Sequence, residues 1–148
     1  MKAVYAAGTD YDNPLSQLKV GELDTPETKP FWSTIHVAAA SVNHHDIWSL
    51  QGVGLSAEQT PMILGTDASG VLAGTMAEIT QVPSANVFAK PANLTLDEAA
   101  ALGTSWLTAY SLLFTSANVK PGDTVLVQGA GGGVSTAAIQ LAQSAGLA

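Results

Sequence analysis

The stretch K-P-G-D-T-V-L-V-Q-G-A-G-G-G-V-S-T-A-A-I-Q-L-A, Lys120 to Ala142, decides the fold. Pro121-Gly122 is turn chemistry, because Pro presets φ and Gly tolerates the unusual values. Thr124 to Gln128 is a short apolar run that predicts a compact buried strand. Gly129 to Gly133 is a glycine run. Val134 to Ala145 is alanine-rich with helical periodicity, and Gly146 is a natural stop just past its end. Strand, glycine loop and helix in that order open a βαβ dinucleotide-binding unit. No second strand follows within the 148 residues, so the crossover is expected to be unfinished.

Such a loop can hold a pyrophosphate. Its glycines let backbone N–H groups approach, and the helix N-terminus adds partial positive charge. The match to G-x-G-x-x-G is incomplete. Counted from Gly129, Val134 stands where the third glycine belongs; counted from Ala130, Ser135 takes the last place. A turn that merely packs a helix in an α/β protein is the plainer alternative. The acidic residue expected ~20 positions later, which reads the adenine ribose, falls past Ala148.

Upstream, the chain reads as strands and turns. Met1–Ala7, Leu18–Leu23, Ser33–Val42, Ile79–Val82 and Val87–Lys90 are strand candidates, and Pro61–Leu64 leads into the turn that begins at Gly65. Asp10–Pro14 and Thr25–Pro30 are loops. Asn43–Gly52 is a short polar helix or turn. Gly65–Gly70 is a glycine-bracketed turn. Thr95-x-x-Glu98 has the form of a capping box, and a longer helix is expected from about Trp106 to Ser116.

Composition excludes several functions. There are 5 basic residues, all lysine, against 12 acidic ones, giving a net charge of −7. Nucleic acid is not an expected partner, since phosphodiester binding needs positive charge. With no cysteine there is no disulfide, thiolate metal site or thiol nucleophile. No apolar run approaches the ~20 residues that cross a bilayer. No membrane partner is therefore expected, and a cytoplasmic protein is the default.

Four stretches together resemble the medium-chain dehydrogenase/reductase superfamily, in its quinone-oxidoreductase-like branch. They are S-V-N-H-H-D-I-W-S-L-Q-G (Ser41–Gly52), P-M-I-L-G-T-D-A-S-G (Pro61–Gly70), A-A-A-L-G-T-S-W-L-T-A-Y (Ala99–Tyr110) and Lys120–Ala142, in family order. The resemblance implies an α/β protein with a partial GroES-like β-barrel catalytic domain over residues 1–98. Residues 99–148 would hold connecting helices and the first strand and helix of a Rossmann domain.

It also implies an activity: zinc-independent reduction of a quinone, enone or related carbonyl substrate, with NADP(H) expected over NAD(H). Members that bind catalytic zinc carry cysteine, a His-Glu pair, and cysteine or Asp where this chain has Asn43, Thr66-Asp67 and Thr104. An amide and two hydroxyls are poor zinc ligands, so no metal is expected. Asp46 and Asp67 remain, and both are able to bond backbone groups in their turns instead.

Asn43, His45 and Asp46 are the catalytic candidates implied by the resemblance. Asn43 would lie near the nicotinamide and substrate carbonyl; the plainer reading is a cap on its turn. His45 would be a general acid, or a loop imidazole packed beside Trp48. His36, within an alternating strand, is read as structural. Thr108 would pack near the nicotinamide, or is an ordinary helix threonine. Ala130, Gly131, Gly132, Gly133 and Val134 are the pyrophosphate candidates. Trp106 and Tyr110 would line the cleft, though aromatics at i and i+4 on a helix are more typical of core.

The chain also departs from the family. Members carry several dozen residues between the two segments that here stand at Gly65–Gly70 and Gly74–Glu78. Internal shortening near 71–74 is therefore expected, and the isolated chain is expected to bind NADPH weakly or not at all. Two other readings stay open. One is a non-catalytic remnant that forms a homo-oligomer or associates through its unfinished sheet. The other, the least favoured, is a zinc alcohol dehydrogenase.

Overall fold

The computed structural model describes residues 1–71 and 76–148. The expected shortening near 71–74 lies outside the described residues. The chain forms two compact units, Met1–Ala101 and Leu102–Ala148.

The first unit holds two small antiparallel sheets. In one, β1 (Lys2–Ala6) is central between β2 (Leu18–Glu22) and β4 (Met62–Ile63). Lys2 faces Glu22, Ala6 faces Leu18, and Tyr5 faces Ile63. In the other, β3 (Trp32–Ala40) lies between β5 (Ala68–Val71) and β6 (Ile79–Pro83). The β3–β5 register shifts between Val37 and Ala39. There Gly70 has a steric reason to be glycine: a Cβ on it would lie 2.2 Å from the His36 carbonyl oxygen. The turn expected over Gly65–Gly70 thus ends earlier, and Ala68 to Gly70 are strand.

Residues 76–78 tie the two sheets together. Val4 N–H donates to Met76 O at 2.9 Å and Glu78 N–H to Lys2 O at 3.0 Å, while Val37 N–H reaches Glu78 O at 3.3 Å. The core beside them is small. Ala6, Leu50, Leu55 and Leu64 are buried, with Leu18, Ile47, Met62 and Met76 packed around. Ile47 and Leu50 lie on α1 (His44–Leu50). This helix is therefore held by its apolar face, and its first turn is placed next to the β4–β5 turn that follows Leu64.

The Thr95 capping box forms as expected. Thr95 Oγ1 accepts from Glu98 N–H at 3.2 Å, and Glu98 Oε2 accepts from Thr95 N–H at 2.8 Å. It starts α2 (Leu96–Ala100), which packs on β3 and β5 and receives a bond from Ser69 Oγ at the Leu96 carbonyl. Val87–Lys90 is not a strand. It follows a 3-10 turn at Ser84–Asn86, and among the described residues no neighbouring strand offers it a ladder.

In the second unit, α3 (Gly103–Tyr110) packs against α4 (Gly133–Ser144). Each buries an alanine, Ala109 and Ala137. The expected Trp106–Ser116 helix begins earlier, at Gly103, and turns into a π-helix over Ser111–Ser116. Tyr110 is half exposed and packs on Phe114, not on Trp106, with ring centroids 5.0 Å apart.

Thr124–Gln128 does not form the expected strand. A strand needs a partner, and among the described residues only its start has one. Ala148 N–H donates to Asp123 O at 2.8 Å, and Val125 N–H donates to Ala148 O at 2.8 Å. That alternation is the pattern of a parallel pairing. Past it, the Leu126 side chain is 85% exposed. The approach of Ala148 follows from the end of α4. Gly146 takes φ 70, and the Leu147 and Gly146 N–H groups bond the Ala142 and Gln143 carbonyls at 2.9 and 3.1 Å. This is the Schellman stop that glycine at C′ permits.

Candidate functional site

The candidate residues fall into two groups, one in each unit. The first is built where α1 begins. Asp46 is 5% exposed, and both its oxygens are engaged by main chain. Oδ2 accepts from Asn43 N–H at 2.8 Å, and Oδ1 accepts from Gly65 N–H at 3.0 Å. One carboxylate thus caps its own helix and fastens the β4–β5 turn to it. Two charge-assisted bonds to N–H groups account for its burial without a cation.

That fastening brings distant residues onto Asn43. Its Nδ2 lies 3.0 Å from Asp67 Oδ2, 3.1 Å from Ser41 Oγ and 3.2 Å from Thr66 Oγ1. Ser41 Oγ donates to Asp67 Oδ2 at 3.1 Å, and Ser41 N–H to Asp67 O at 3.3 Å. Asp67 is 8% exposed; Asn43 and Ser41 are half-buried, and Thr66 is exposed. Ser41 was not singled out from the sequence. Its signal was a hydroxyl at the end of β3, two residues before an asparagine, which says nothing of the carboxylate it meets.

His44 and His45 diverge as neighbours on a helix must. It is His44, not His45, that packs on Trp48, edge to face with centroids 5.1 Å apart. The i to i+4 spacing selects that pair and sets His45 over Ser49 instead, with Nδ1 and Oγ 3.5 Å apart. Both imidazoles are exposed.

The second group is the glycine loop. Gly129 takes φ 67, a value that L side chains rarely adopt. Gly132 is the N-cap of α4 and offers no side-chain cap, and the first turn holds no acidic residue. The N–H groups of that turn have no intrahelical acceptor by construction. A Cβ at Gly129 or Gly131 would meet nothing within 4 Å, so an incoming group has open space there. Ala130 to Gly133 are exposed, and Val134 is half-buried in the first turn. Gly133 faces the Ser105 hydroxyl, 2.6 Å from where its Cβ would be. Thr108 lies on α3 with its side chain exposed, and Trp106 is half-buried.

The donor chemistry can be tested against the groups that the family uses. A helix N-terminus with a glycine N-cap and no carboxylate fits a pyrophosphate. The cluster at Asn43 does not fit zinc. It offers an amide nitrogen, two hydroxyls and a carboxylate already engaged by Ser41 and Asn43. Among the described residues there is no group of three or more His, Cys, Asp or Glu able to hold a metal.

No protein-family model matches the chain. Curated relatives do. The synaptic vesicle membrane protein VAT-1 homolog of Rattus norvegicus is 33% identical over 140 positions, covering 80% of this chain and 35% of that protein. The quinone oxidoreductase of Pongo abelii is 30% identical over 148 positions, covering 85% of this chain and 45% of that protein. Among solved structures, the quinone oxidoreductase of Thermus thermophilus, determined also in complex with NADPH, superposes with a TM-score of 0.83. It is 33% identical, and the match covers 99% of this chain and 51% of that one. The chain therefore spans between about a third and a half of the length of these relatives. The 140 positions aligned with the rat protein use only 80% of 148 residues, so they include positions that this chain lacks. The small antiparallel sheets match part of such structures, and together these likenesses make the chain a member of the medium-chain dehydrogenase/reductase superfamily, among its quinone-oxidoreductase-like proteins.

Proposed function

We propose that the chain carries the working parts of an NAD(P)H-dependent oxidoreductase that reduces a quinone, an enone or a related conjugated carbonyl compound without zinc. The observation that carries this reading is the Gly129–Gly132 loop, which delivers an uncapped, acid-free helix N-terminus into open space. A dinucleotide pyrophosphate is the ligand such a terminus suits. The relatives named quinone oxidoreductase and the NADPH complex of one of them support the same choice.

A bound nicotinamide would supply the hydride, and a proton from solvent or a side chain would complete the reduction. The protein's part is to hold, orient and exclude water. Backbone N–H groups from Ala130 to Val134 would hold the phosphates. Thr108 and Asn43 would contact the nicotinamide end. His45, exposed on α1, is the candidate proton donor. Asp46 serves by fixing Asn43 in place, since its two oxygens already serve the main chain. NADP(H) is proposed over NAD(H), the compartment is the cytoplasm, and the assembled protein is a homo-oligomer. Among the described residues no helix is long and apolar enough to cross a membrane.

The test is NADPH oxidation with a panel of quinones and enones, before and after a chelator. Because the isolated chain is expected to bind NADPH weakly, slow acceptor-dependent oxidation that survives the chelator is the expected result. Oxidation that the chelator abolishes overturns zinc independence, and no acceptor dependence at millimolar NADPH overturns the assignment. A second reading, a non-catalytic module that associates through its sheet, is favoured by the exposed Leu126 past the Ala148 pairing. Light scattering that finds a monomer at every concentration rejects it.

A further inference from the structure

The amide of asparagine looks the same from either end, but its two ends do opposite work. Nδ2 only donates and Oδ1 only accepts. Which end faces out decides what kind of group Asn43 can hold. The neighbours settle this by chemistry. Asp67 Oδ2, 3.0 Å away, belongs to a carboxylate, which when ionised only accepts. Ser41 donates its own proton to that carboxylate, so its oxygen is left to accept from Asn43 at 3.1 Å. A flipped amide would set Oδ1 against the carboxylate oxygen, acceptor against acceptor in a buried place. The amino end is therefore the held end.

Among the described residues the carbonyl end meets only main chain: the Asn43 side chain closes a capping box with Asp46 N–H. That N–H also bonds the Asn43 main-chain oxygen at 3.0 Å, and a carbonyl oxygen with two lone pairs keeps room for a further donor. We propose that Asp67 is a positioning residue: it holds the amino end of Asn43, so that Asn43 offers an acceptor and takes a hydrogen-bond donor on its ligand. The ligand class is an amide N–H or a hydroxyl, not a carbonyl oxygen. Within the proposed function, on which this rests, Asn43 holds the carboxamide of the nicotinamide or the hydroxyl of the reduced product. It does not polarise the carbonyl that is being reduced.

The test reads the Asn43 side-chain amide by 15N–1H NMR, with Asn43→Asp identifying its signals. In the unmodified protein those protons should exchange with water at least tenfold slower than the exposed amides of Asn13 and Asn86. Asp67→Asn should remove that protection, and Asp67→Glu should restore most of it. Exchange as fast as at Asn13 and Asn86 overturns the clamp without any variant, and does so whatever the protein's activity. Ligand polarity is then read with paired probes at millimolar concentration. Nicotinamide is set against N,N-dimethylnicotinamide for the cofactor source, and hydroquinone against 1,4-dimethoxybenzene for the product source. A larger Asn43 shift with the donor of either pair is expected and says which source it is. Equal or reversed shifts, or none with any probe, overturn the acceptor role while leaving the clamp measured separately.

Discussion

Replacing Asp46 with Asn is the most exacting probe of the first unit. The change removes one charge and exchanges one oxygen for an NH2, at nearly constant shape. Both oxygens of Asp46 accept main-chain N–H groups, at 2.8 Å from Asn43 and 3.0 Å from Gly65. The side chain is 5% exposed, so water does not replace what is lost. Whichever way the new amide turns, its NH2 meets an N–H and one buried donor loses its partner. A charged bond is worth about 1.5–3 kcal/mol, and an orphaned donor costs about 1–3 kcal/mol. The same loss seen from both sides is not counted twice, so the expected destabilisation is about 2–4 kcal/mol. With a urea slope of about 1–3 kcal/mol per molar, the midpoint should fall by roughly 1–2 M. Hydrogen exchange localises the effect. Protection at the Gly65 and Asn43 amides should fall by about 30-fold or more, since about 1.4 kcal/mol is tenfold. Asp97→Asn, an exposed acid in the first turn of α2, is the control and should stay within about 0.5 kcal/mol. A midpoint for Asp46→Asn equal to that of the control, with unchanged exchange at Gly65, would refute the account of how α1 is fastened.

Three further outcomes follow from the same structure. Leu50→Ala empties the largest fully buried side chain among the described residues, at 1% exposure, and should cost about 2–5 kcal/mol in the same urea assay; a loss under about 1 kcal/mol would mean that the Ala6–Leu55–Leu64 cluster is not the core. Gly70→Ala sets a Cβ 2.2 Å from the His36 oxygen, a backbone atom that cannot swing aside. It should cost about 1–3 kcal/mol or more and loosen β5 exchange, so a neutral result would contradict the β3–β5 register. Glu98 accepts from the Thr95 main chain and hydroxyl, which holds its carboxyl below the ordinary value. Its contribution is complete above the unfolded value and is lost as pH falls through the folded one. The stability difference between the protein and Glu98→Gln should therefore shrink in acid, and a difference independent of pH would show that the capping box carries none of it.

How far the sequence could be read depended on the range of the interaction concerned. The Thr95 box, the start of α1 and the Gly146 stop are contacts within five residues, and their residue types name their partners. β1, β2, β3 and β6 carried patterns that the sheets then used. Val87–Lys90 and Thr124–Gln128 have strand-like composition too, but composition brings no second strand. Gly70 was read as turn punctuation, whereas its reason is the His36 carbonyl 34 positions earlier. The π segment at 111–116 has no local mark. In the site, Asn43 and Asp46 were legible as individuals. Their company was not, because Ser41 and Asp67 stand 26 residues apart and meet only through the β3–β5 pairing and the Asp46 bond to Gly65. The Trp48 contact expected of His45 falls to His44, because on a helix the i to i+4 spacing selects it.

The π segment has a consequence for how the second unit can change length. Over Ser111–Ser116 the backbone closes with wider rings, as in Ala117 N–H to Leu112 O at 3.0 Å, and so stores one residue more than an α-helix of the same rise. Leu113 still reaches the interior, at 6% exposure. Such a segment is a reserve of length. A one-residue deletion inside it can be absorbed by relaxing to α geometry, whereas the same deletion in α3 or α4 rotates every later side chain by about a hundred degrees. Lineages of this chain that differ by a single residue in the second unit are expected to differ here, at the place where the helix already tolerates an uneven count.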